Sequence, residues 1–412
     1  MKIYRVGGAV RDELLGRPVA DRDWVVVGAT PETMIASGFK PVGRDFPVFL
    51  HPETREEYAL ARTERKHGRG YRGFEFFVSP DVTLEEDLQR RDLTINAMAR
   101  GEDGTLIDPF GGEADLRAGV LRHVSPAFAE DPLRVLRVAR FAARFDFAVA
   151  PETLALMRSL VASGELAELQ PERVWQELAR GLMEPHPSRM FAVLRDCGAL
   201  AAILPEVDAL YGIAKRSRRA GAAEADGDLA RALDYAAAKQ FPLPVRYAVL
   251  ALDLAAGPRS RNATKQRPAG ARTGVLAERL SARLKAPVEC RDAARLAARW
   301  HGAVHQASDL PPAKLLDLLL AADALRRPER LDMLLDACEC EALSRPGARG
   351  SFAPGEFIRA ALAVVRSVDA ATIARGITTH RRTHDAPPSD AIAKAVRAAR
   401  LKALRGWRAS RR

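Results

Sequence analysis

Cysteine is scarce in this chain, with four residues in 412. No two of them have the C-x-x-C spacing of a redox or zinc motif. Cys338 and Cys340 are too close together for one disulfide or a zinc knuckle, and Cys197 and Cys290 stand apart in the sequence. The cysteines therefore favour a reduced, intracellular setting over a disulfide-stabilised secreted domain.

Long hydrophobic runs are also missing. No apolar segment reaches membrane-spanning length, and no signal-peptide core precedes the first apolar run. We therefore expect a cytoplasmic protein with no membrane partner. Aromatic residues make up only 6% of the chain although 47% is hydrophobic, because Ala and Leu dominate beyond residue 115. This composition predicts a helix-rich globular chain, which on length alone has roughly two to four domains.

Negative charge is in deficit, and the net charge is +11. An excess of Lys and Arg suits an anionic partner, and nucleic acid is the leading candidate because these residues bind phosphates. An Arg-rich composition without any such partner is the alternative, since the basic residues are spread along the chain. The C-terminal segment 394–412 is the densest in basic residues.

Two regions differ in periodicity. Residues 1–115 contain short β-branched runs such as Trp24–Val27 and Glu75–Val78, whereas from residue 116 apolar residues recur at helical spacing. We expect helices over Ala129–Phe145 and Pro171–Leu182. The predicted fold class is α+β, with a small mixed sheet and its helices followed by an all-helical remainder.

Loops are predicted where charge, Gly and Pro interrupt the helical pattern. These stretches are Lys215–Gly227 and Gly257–Gly274. A last helical region is expected from about residue 311 to the C-terminus, with breaks near Pro346 and Pro387.

The N-terminal segment has an informative order of features. A short apolar run ends at Gly7-Gly8, and a helix-like segment with Arg11 follows. Such a turn opens backbone N–H groups toward an anion at a helix N-terminus. Taken alone, a Gly-Gly pair is more often just a tight turn.

Two aspartates begin the next apolar run. On a strand, residues two apart share a face, so Asp21 and Asp23 are expected to point the same way. Paired carboxylates hold divalent cations, although an Asp-x-Asp at a strand end is more often a solvated rim. Phosphate and metal together are what a phosphoryl or nucleotidyl transferase must hold.

A predicted helix downstream has a stripe of arginines on one face. Asp131 precedes Pro132 at its start, which reads as an N-cap. A solvated face is the usual explanation of such a stripe, but no interleaved Glu offsets the repulsion, and a bound polyphosphate would. Glu172 and Glu177, on the next predicted helix, are possible partners. The stripe consists of Arg134, Arg137, Arg140 and Arg144.

These segments, together with Arg90-Arg91-Asp92, resemble in their order the bacterial class II CCA-adding enzymes, which are tRNA nucleotidyltransferases of the DNA polymerase beta-like superfamily. The resemblance is dense over residues 1–200 and thinner beyond. The family adds C, C and A to tRNA 3′ ends from CTP and ATP without a template. It implies a catalytic head (1–115), a neck (116–205), a helical body (206–330) and a basic tail (331–412).

The resemblance also assigns the site. It makes Asp21 and Asp23 the catalytic Mg²⁺ ligands. Spacing makes Glu57 a candidate third ligand, with an exposed strand-edge acid as its alternative. The expected nucleotide-binding residues are Gly8, Arg11, Arg91, Asp131, Arg134, Arg137 and Arg140.

Within that set, Asp131 and Arg134 match the element that reads the incoming base. A carboxylate accepts from the exocyclic amine that cytosine and adenine share, and a guanidinium donates to their ring acceptors. Uracil and guanine lack that amine at the matching position. The expected macromolecular partner is tRNA, held at its 3′ end, acceptor stem and elbow.

One region departs from the family. Many relatives have an HD phosphohydrolase domain, but here Leu252 stands where its first His is expected, and leucine offers no lone pair. The pairs His301/His305 and His380/His384 each lack a third ligand. We therefore predict an HD scaffold without phosphohydrolase activity. A bacterial poly(A) polymerase and a catalytically idle tRNA-binding protein are the alternative functions.

Overall fold

The structure is a computed structural model, and it describes residues 1–19, 22–42, 48–66, 74–211, 224–252, 254, 269–348, 350–379 and 389–411. The chain forms two compact units, Met1–Pro205 and Glu206–Arg412. The finer division into head, neck, body and tail stays a prediction.

All described strands belong to the first unit, and the small mixed sheet predicted for the N-terminal region is confirmed. The strands are β1 (Lys2–Val6), β2 (Asp23–Val27), β3 (Lys40–Val42), β4 (Val48–Leu50), β5 (Glu57–Leu60), β6 (Arg62–Lys66), β7 (Phe74–Val78), β8 (Ala99–Arg100), β9 (Leu106–Ile107), β10 (Val120–Leu121) and β11 (Ala148–Val149).

Seven of these strands form one sheet in the order β3-β4-β5-β2-β1-β8-β9, and β6–β7 and β10–β11 form separate pairs. Strand β2 runs parallel to β5 and antiparallel to β1. Because side chains alternate along β2, Val25 packs with Val6 and Leu88 on one side, and Val26 packs with Met34 on the other. Both faces of the central strand are thus buried, which fixes its register.

Helices alternate with these strands and follow them along the chain. In the first unit they are α1 (Gly8–Leu14), α2 (Pro31–Ala36), α3 (Leu84–Gln89), α4 (Gly112–Ala118), α5 (Leu133–Phe145), α6 (Pro151–Ala162), α7 (Pro171–Met183), α8 (Pro187–Asp196) and α9 (Ala199–Ile203). Short 3₁₀ turns cover Thr94–Asn96, Pro126–Glu130 and Glu165–Glu168.

One predicted helix starts later than expected. The helix predicted over Ala129–Phe145 begins at Leu133, because Pro126–Glu130 form a 3₁₀ turn. Asp131 does cap the helix, since its Oδ1 accepts the backbone N–H of Leu133 at 3.0 Å. The helix predicted from Pro171 is confirmed, and it ends one residue further on, at Met183.

In the described residues of the second unit, the helices are the regular secondary structure. Its helices are α10 (Pro205–Tyr211, which starts at the boundary), α11 (Glu224–Ala238), α12 (Leu243–Ala251), α13 (Ala269–Arg283), α14 (Val288–His305), α15 (Pro312–Ala321), α16 (Pro328–Leu343), α17 (Ala353–Arg366), α18 (Ala370–Thr379) and α19 (Ser389–Ala409).

Both predicted loops extend too far toward the C-terminus. Residues 224–227 lie in α11 and residues 269–274 in α13, while the rest of both stretches lies outside the described residues. In α13 the buried face of Thr273, Ala277 and Leu280 packs against α14. Tertiary burial there outweighs the weak helix propensity of glycine.

The four cysteines lie within the described residues, and each is buried and unpaired. In the part of the chain that the structure describes, every helix is too short or too polar to cross a bilayer.

Candidate active site

A cavity of about 580 Å³ lies in the first unit. It is bounded by the sheet edge where β2 and β5 begin, by the turn after β1 and by α5. Every predicted site residue that the structure describes lines it, while Asp21 lies outside the described residues. These lining residues are Gly8, Arg11, Asp23, Glu57, Arg91, Asp131, Arg134, Arg137 and Arg140.

Two carboxylates meet at the edge of the sheet. Asp23 and Glu57 are register partners on the parallel strands β2 and β5, so their side chains share a face. Asp23 also pairs with Val6, the last residue of β1, which places it beside the turn at Gly7. Both acidic residues are exposed. Their oxygens are the ligand type that hard divalent cations prefer.

The turn at Gly7 requires glycine. Its backbone adopts φ 68° and ψ −127°, a region that side chains with a Cβ avoid. A Cβ at this position would lie 2.7 Å from Nη1 of Arg91. The missing side chain therefore lets the Arg91 guanidinium pack against the start of α1.

Arg90 and Arg91 share a buried carboxylate. Nη2 of Arg90 donates to Asp87 at 2.7 Å, and Nη2 of Arg91 donates to the other oxygen at 3.2 Å. Burial alone raises the pKa of Asp87, but the two positive charges outweigh it and lower the pKa below its usual value. The turn is thus salt-bridged, and both arginines still line the cavity.

Asp92 anchors the second arginine of the stripe. Arg137 donates to it through Nε at 2.7 Å, and the Asn96 amide donates at 2.9 Å. Asp92 is only 7% exposed. Burial favours the neutral acid, yet the Arg137 charge and these hydrogen bonds hold the pKa of Asp92 far below its usual range.

The rest of the stripe is paired in the same way. Nε of Arg140 donates to buried Glu177 at 2.6 Å, and Nη2 of Arg144 donates to Asp12 at 2.9 Å. The predicted contribution of Glu177 is confirmed. Glu172 is exposed, and its pairing with the stripe stays a prediction. Carboxylates from other elements offset much of the repulsion along the stripe. The stripe therefore does not by itself require a bound polyphosphate.

Arg11 lies at the base of the cavity and is 4% exposed. Its guanidinium donates to Asp12 and Asn96 and stacks over the ring of Phe145 at 5.0 Å. Burial lowers the pKa of Arg11, and the adjacent Asp12 only partly offsets that effect. Its donors are thus held largely by the fold.

The predicted base-reading pair is also held in place. Asp131 accepts from Arg173 of α7 at 2.9 Å as well as from its own helix start. Arg134 donates to the carbonyls of Ala127 and Arg90, at 3.0 and 2.7 Å. A guanidinium has five N–H donors, so these two bonds leave others available for a base.

Several residues that line the cavity, or that bind the arginines lining it, were not predicted from the sequence. Asp87 had a usable signal, because it stands three and four residues before the two arginines that it binds on one helix face. Asp12 directly follows Arg11. Arg62 and Arg173 also line the cavity but had no local pattern to indicate them.

In the second unit, the HD-like stretch has a buried leucine at the key position. Leu252 is 3% exposed and directly follows α12, while Asp253 lies outside the described residues. His305 pairs with Glu341 at 2.9 Å, and Nδ1 of His301 lies 3.2 Å from the Ala297 carbonyl. The described residues contain no group of three or more His, Cys, Asp or Glu side chains that could hold a metal. His380 and His384 lie outside those residues.

The family comparisons agree with this geometry. Residues 3–122 match the Poly A polymerase head domain, and residues 146–211 match the probable RNA and SrmB-binding site of polymerase A. The head, its acidic pair and the basic cavity define a nucleotidyltransferase of the polymerase beta-like class.

Relatives that match nearly the whole chain identify the family within this class. The Multifunctional CCA protein of Azoarcus sp. (strain BH72) is 56% identical over 99% of this chain and 98% of its own. That of Nitrosomonas europaea is 55% identical over 98% of each. The chain belongs to the family of bacterial CCA-adding enzymes, which are tRNA nucleotidyltransferases. These relatives support CCA addition and not the poly(A) polymerase or idle-binder alternatives.

A solved structure supports the same assignment. The Bacillus stearothermophilus CCA-adding enzyme in complex with CTP is 26% identical, with a TM-score of 0.61 over 98% of this chain and 89% of that one. A CCA-adding enzyme in complex with ATP shares the fold, with a TM-score of 0.62 over 98% of this chain and 86% of that one, at 21% identity. Membership of this family implies dependence on a divalent metal, and the carboxylates of Asp23 and Glu57 fit that requirement.

Proposed function

We propose that this enzyme adds CCA to the 3′ ends of tRNA, in synthesis and in repair, and that it acts in the cytoplasm. Its substrates are CTP and ATP, and it releases pyrophosphate without using a template. The cavity is the observation that supports this most. Among its described lining residues, nine arginines accompany four carboxylates, a balance suited to a triphosphate and an RNA end.

We assign Asp23, together with Asp21, to Mg²⁺, with Glu57 as the third ligand. When bound, the metal supplies Lewis acidity that activates the tRNA 3′-hydroxyl and stabilises charge on the α-phosphate and pyrophosphate. The chain's own contribution is to hold carboxylates on one face of the sheet, beside the Gly7 turn. Phosphoryl transfer depends mainly on such positioning.

The arginines bind the rest of the nucleotide. Gly8 and Arg11 contact the triphosphate from α1. Arg91, and Arg137 and Arg140 on α5, help to bind the nucleotide. Their buried carboxylate partners fix the guanidinium groups before the nucleotide arrives, which reduces the entropy lost on binding. This is the physical advantage of a stripe that is paired and not simply solvated.

Asp131 and Arg134 select the base. The Asp131 carboxylate accepts from the amine of cytosine or adenine, and Arg134 donates to a ring acceptor. Uracil and guanine present a carbonyl where Asp131 needs a donor, so both are rejected. The tRNA is bound through its 3′ end, acceptor stem and elbow.

Nucleotide incorporation tests this function. A tRNA transcript lacking its last three nucleotides, given CTP alone, should gain two C residues, and CTP with ATP should restore CCA. UTP or GTP alone should give no extension above background. Mass spectrometry of the product reads the added sequence. A long A tract made from ATP alone, with CTP ignored, is the result of a poly(A) polymerase and contradicts the proposal.

We also expect no HD phosphohydrolase activity. The buried Leu252 cannot ligate a metal, and His305 is already bound to Glu341. The purified enzyme, incubated with 2′,3′-cyclic AMP and Mg²⁺, Mn²⁺ or Ni²⁺, should release no more nucleotide than a blank. A mock preparation, purified in parallel from cells that carry the empty vector, controls for contaminants. Hydrolysis that scales with enzyme concentration and is lost with chelator contradicts the prediction.

A further inference from the structure

Arg173 differs from the other paired arginines of the cavity in the partner it binds. Arg137 and Arg140 bind Asp92 and Glu177, which are 7% and 3% exposed and hold the arginines themselves in place. Arg173 instead donates from Nη2 to Oδ2 of Asp131 at 2.9 Å. Its partner is therefore the carboxylate assigned to the incoming base.

Asp131 is consequently fixed at both oxygens by two different helices. Oδ1 accepts the N–H of Leu133 at the start of α5, and Oδ2 accepts from Arg173 in the first turn of α7. One bond alone leaves a short side chain free to turn about its Cβ–Cγ axis, whereas two bonds fix the plane of the carboxylate. Each oxygen keeps a second lone pair, so an exocyclic amine can still donate to it.

We propose that Arg173 is a positioning residue for base selection. It holds Asp131 in the orientation that accepts the amine of cytosine or adenine, an inference that rests on the proposed function of Asp131. The ion pair has a second effect, because a guanidinium bound to Asp131 does not offer those donors to the carbonyl of uracil or guanine. Arg173 thus favours the binding of cytosine and adenine, and it gives uracil and guanine no hydrogen bond in exchange.

The geometry suits such a role. The side chains of Arg173 and Asp131 are 24% and 21% exposed, so neither is sealed in the core and both remain accessible from the cavity. A charge-assisted bond of this kind is roughly twice as strong as a neutral one. Such a bond is strong enough to hold the orientation of the Asp131 carboxylate.

The test is the ratio of kcat/KM for CTP to kcat/KM for UTP on a tRNA that lacks CCA. Arg173→Met removes the donors and keeps the length of the side chain, and it should lower this ratio about tenfold, the factor that corresponds to losing one such contact. Arg173→Gln keeps one amide donor and should fall between Arg173→Met and the wild type. Arg173→Lys should recover much of the ratio.

Arg180→Met is the matched control. It makes the same change in the same helix, on a side chain that is 64% exposed and does not line the cavity, and the ratio should stay within about twofold of wild type. A mainly structural role would lower turnover and leave the ratio unchanged.

Each outcome decides the proposal. An unchanged ratio in Arg173→Met, or equal losses in Arg173→Met and Arg180→Met, overturns it. Unfolding of both Arg173→Met and Arg173→Gln also overturns it, because a residue that only orients Asp131 is not needed for folding. A wild-type enzyme that adds no C at all contradicts the proposed function instead, so the two failures are distinct.

Discussion

Asp23→Asn should lower the rate of nucleotide addition more than about 1000-fold, because a neutral amide cannot replace a charged carboxylate as a ligand of the catalytic metal. Folding should be almost unaffected. Asp23 is exposed at the first residue of β2, outside the cores on either side of the sheet. The free energy of unfolding of the Asp23→Asn variant should therefore stay within about 1 kcal/mol of the wild-type value.

Single-turnover addition of C to tRNA that lacks CCA, measured over a range of Mg²⁺ concentrations, provides the measurement. The double variant Asp21→Asn, Asp23→Asn should be no slower than Asp23→Asn alone, because residues that act as a unit are not additive. Asp309→Asn, an exposed acid in the second unit, is the matched control and should keep its rate. Addition by Asp23→Asn at the wild-type rate would remove the basis of the site assignment.

The same assay tests whether Glu57 is a metal ligand or only an exposed acid at the edge of a strand. Its pairing with Asp23 in the parallel register is the reason to expect a ligand. Glu57→Gln should lower the rate and raise the Mg²⁺ concentration needed for half-maximal addition. A strand-edge acid would show neither change.

The local order of the motifs, together with the family resemblance that it carries, was sufficient to predict which residues line the candidate site. The Gly7 turn, the acid at the start of β2 and the Asp131 to Arg134 spacing each lie within a few residues, and they fix which side chains share a face. Those residues line one cavity. The α+β fold class followed from the change of periodicity near residue 116, which is also a local property.

Most of the charge pairing around the cavity could not be predicted in this way. Arg137 and Asp92 are 45 residues apart, and Arg144 and Asp12 are 132 apart. Sequence spacing gives no information on which residues of separate elements meet, so, apart from Glu177, the carboxylates that balance the arginine stripe were not predicted. The late start of α5 has a different cause, since the 3₁₀ turn before it continues the same apolar spacing. The start of α13 within the predicted loop was missed for a reason similar to that of the charge pairing, because it depends on burial against α14, which is a tertiary contact.

Asp92→Asn should lower the free energy of unfolding by about 3 kcal/mol, because it removes one partner of a buried ion pair and leaves Arg137 without its charge. This value lies at the lower end of the usual cost of breaking a buried ion pair, for two reasons. The Arg137 side chain is 34% exposed, and Glu177 lies 4.0 Å from it as a second, weaker partner. Asp332→Asn breaks an exposed pair with Arg359 and should cost less than about 1 kcal/mol. Urea unfolding at pH 7 measures both.

The same variant should change how stability depends on pH. The pKa of Asp92 in the folded protein lies below its ordinary value of 3.8, so the carboxylate binds its proton more readily when the chain is unfolded. Its contribution is therefore complete above pH 3.8 and is lost as the pH falls from there toward the folded pKa. Asn cannot titrate, and the stability difference between wild type and Asp92→Asn should shrink over that acid range. Parallel stability curves from about pH 5 down to about pH 2 would mean that Asp92 does not titrate as a buried, arginine-bound carboxylate must.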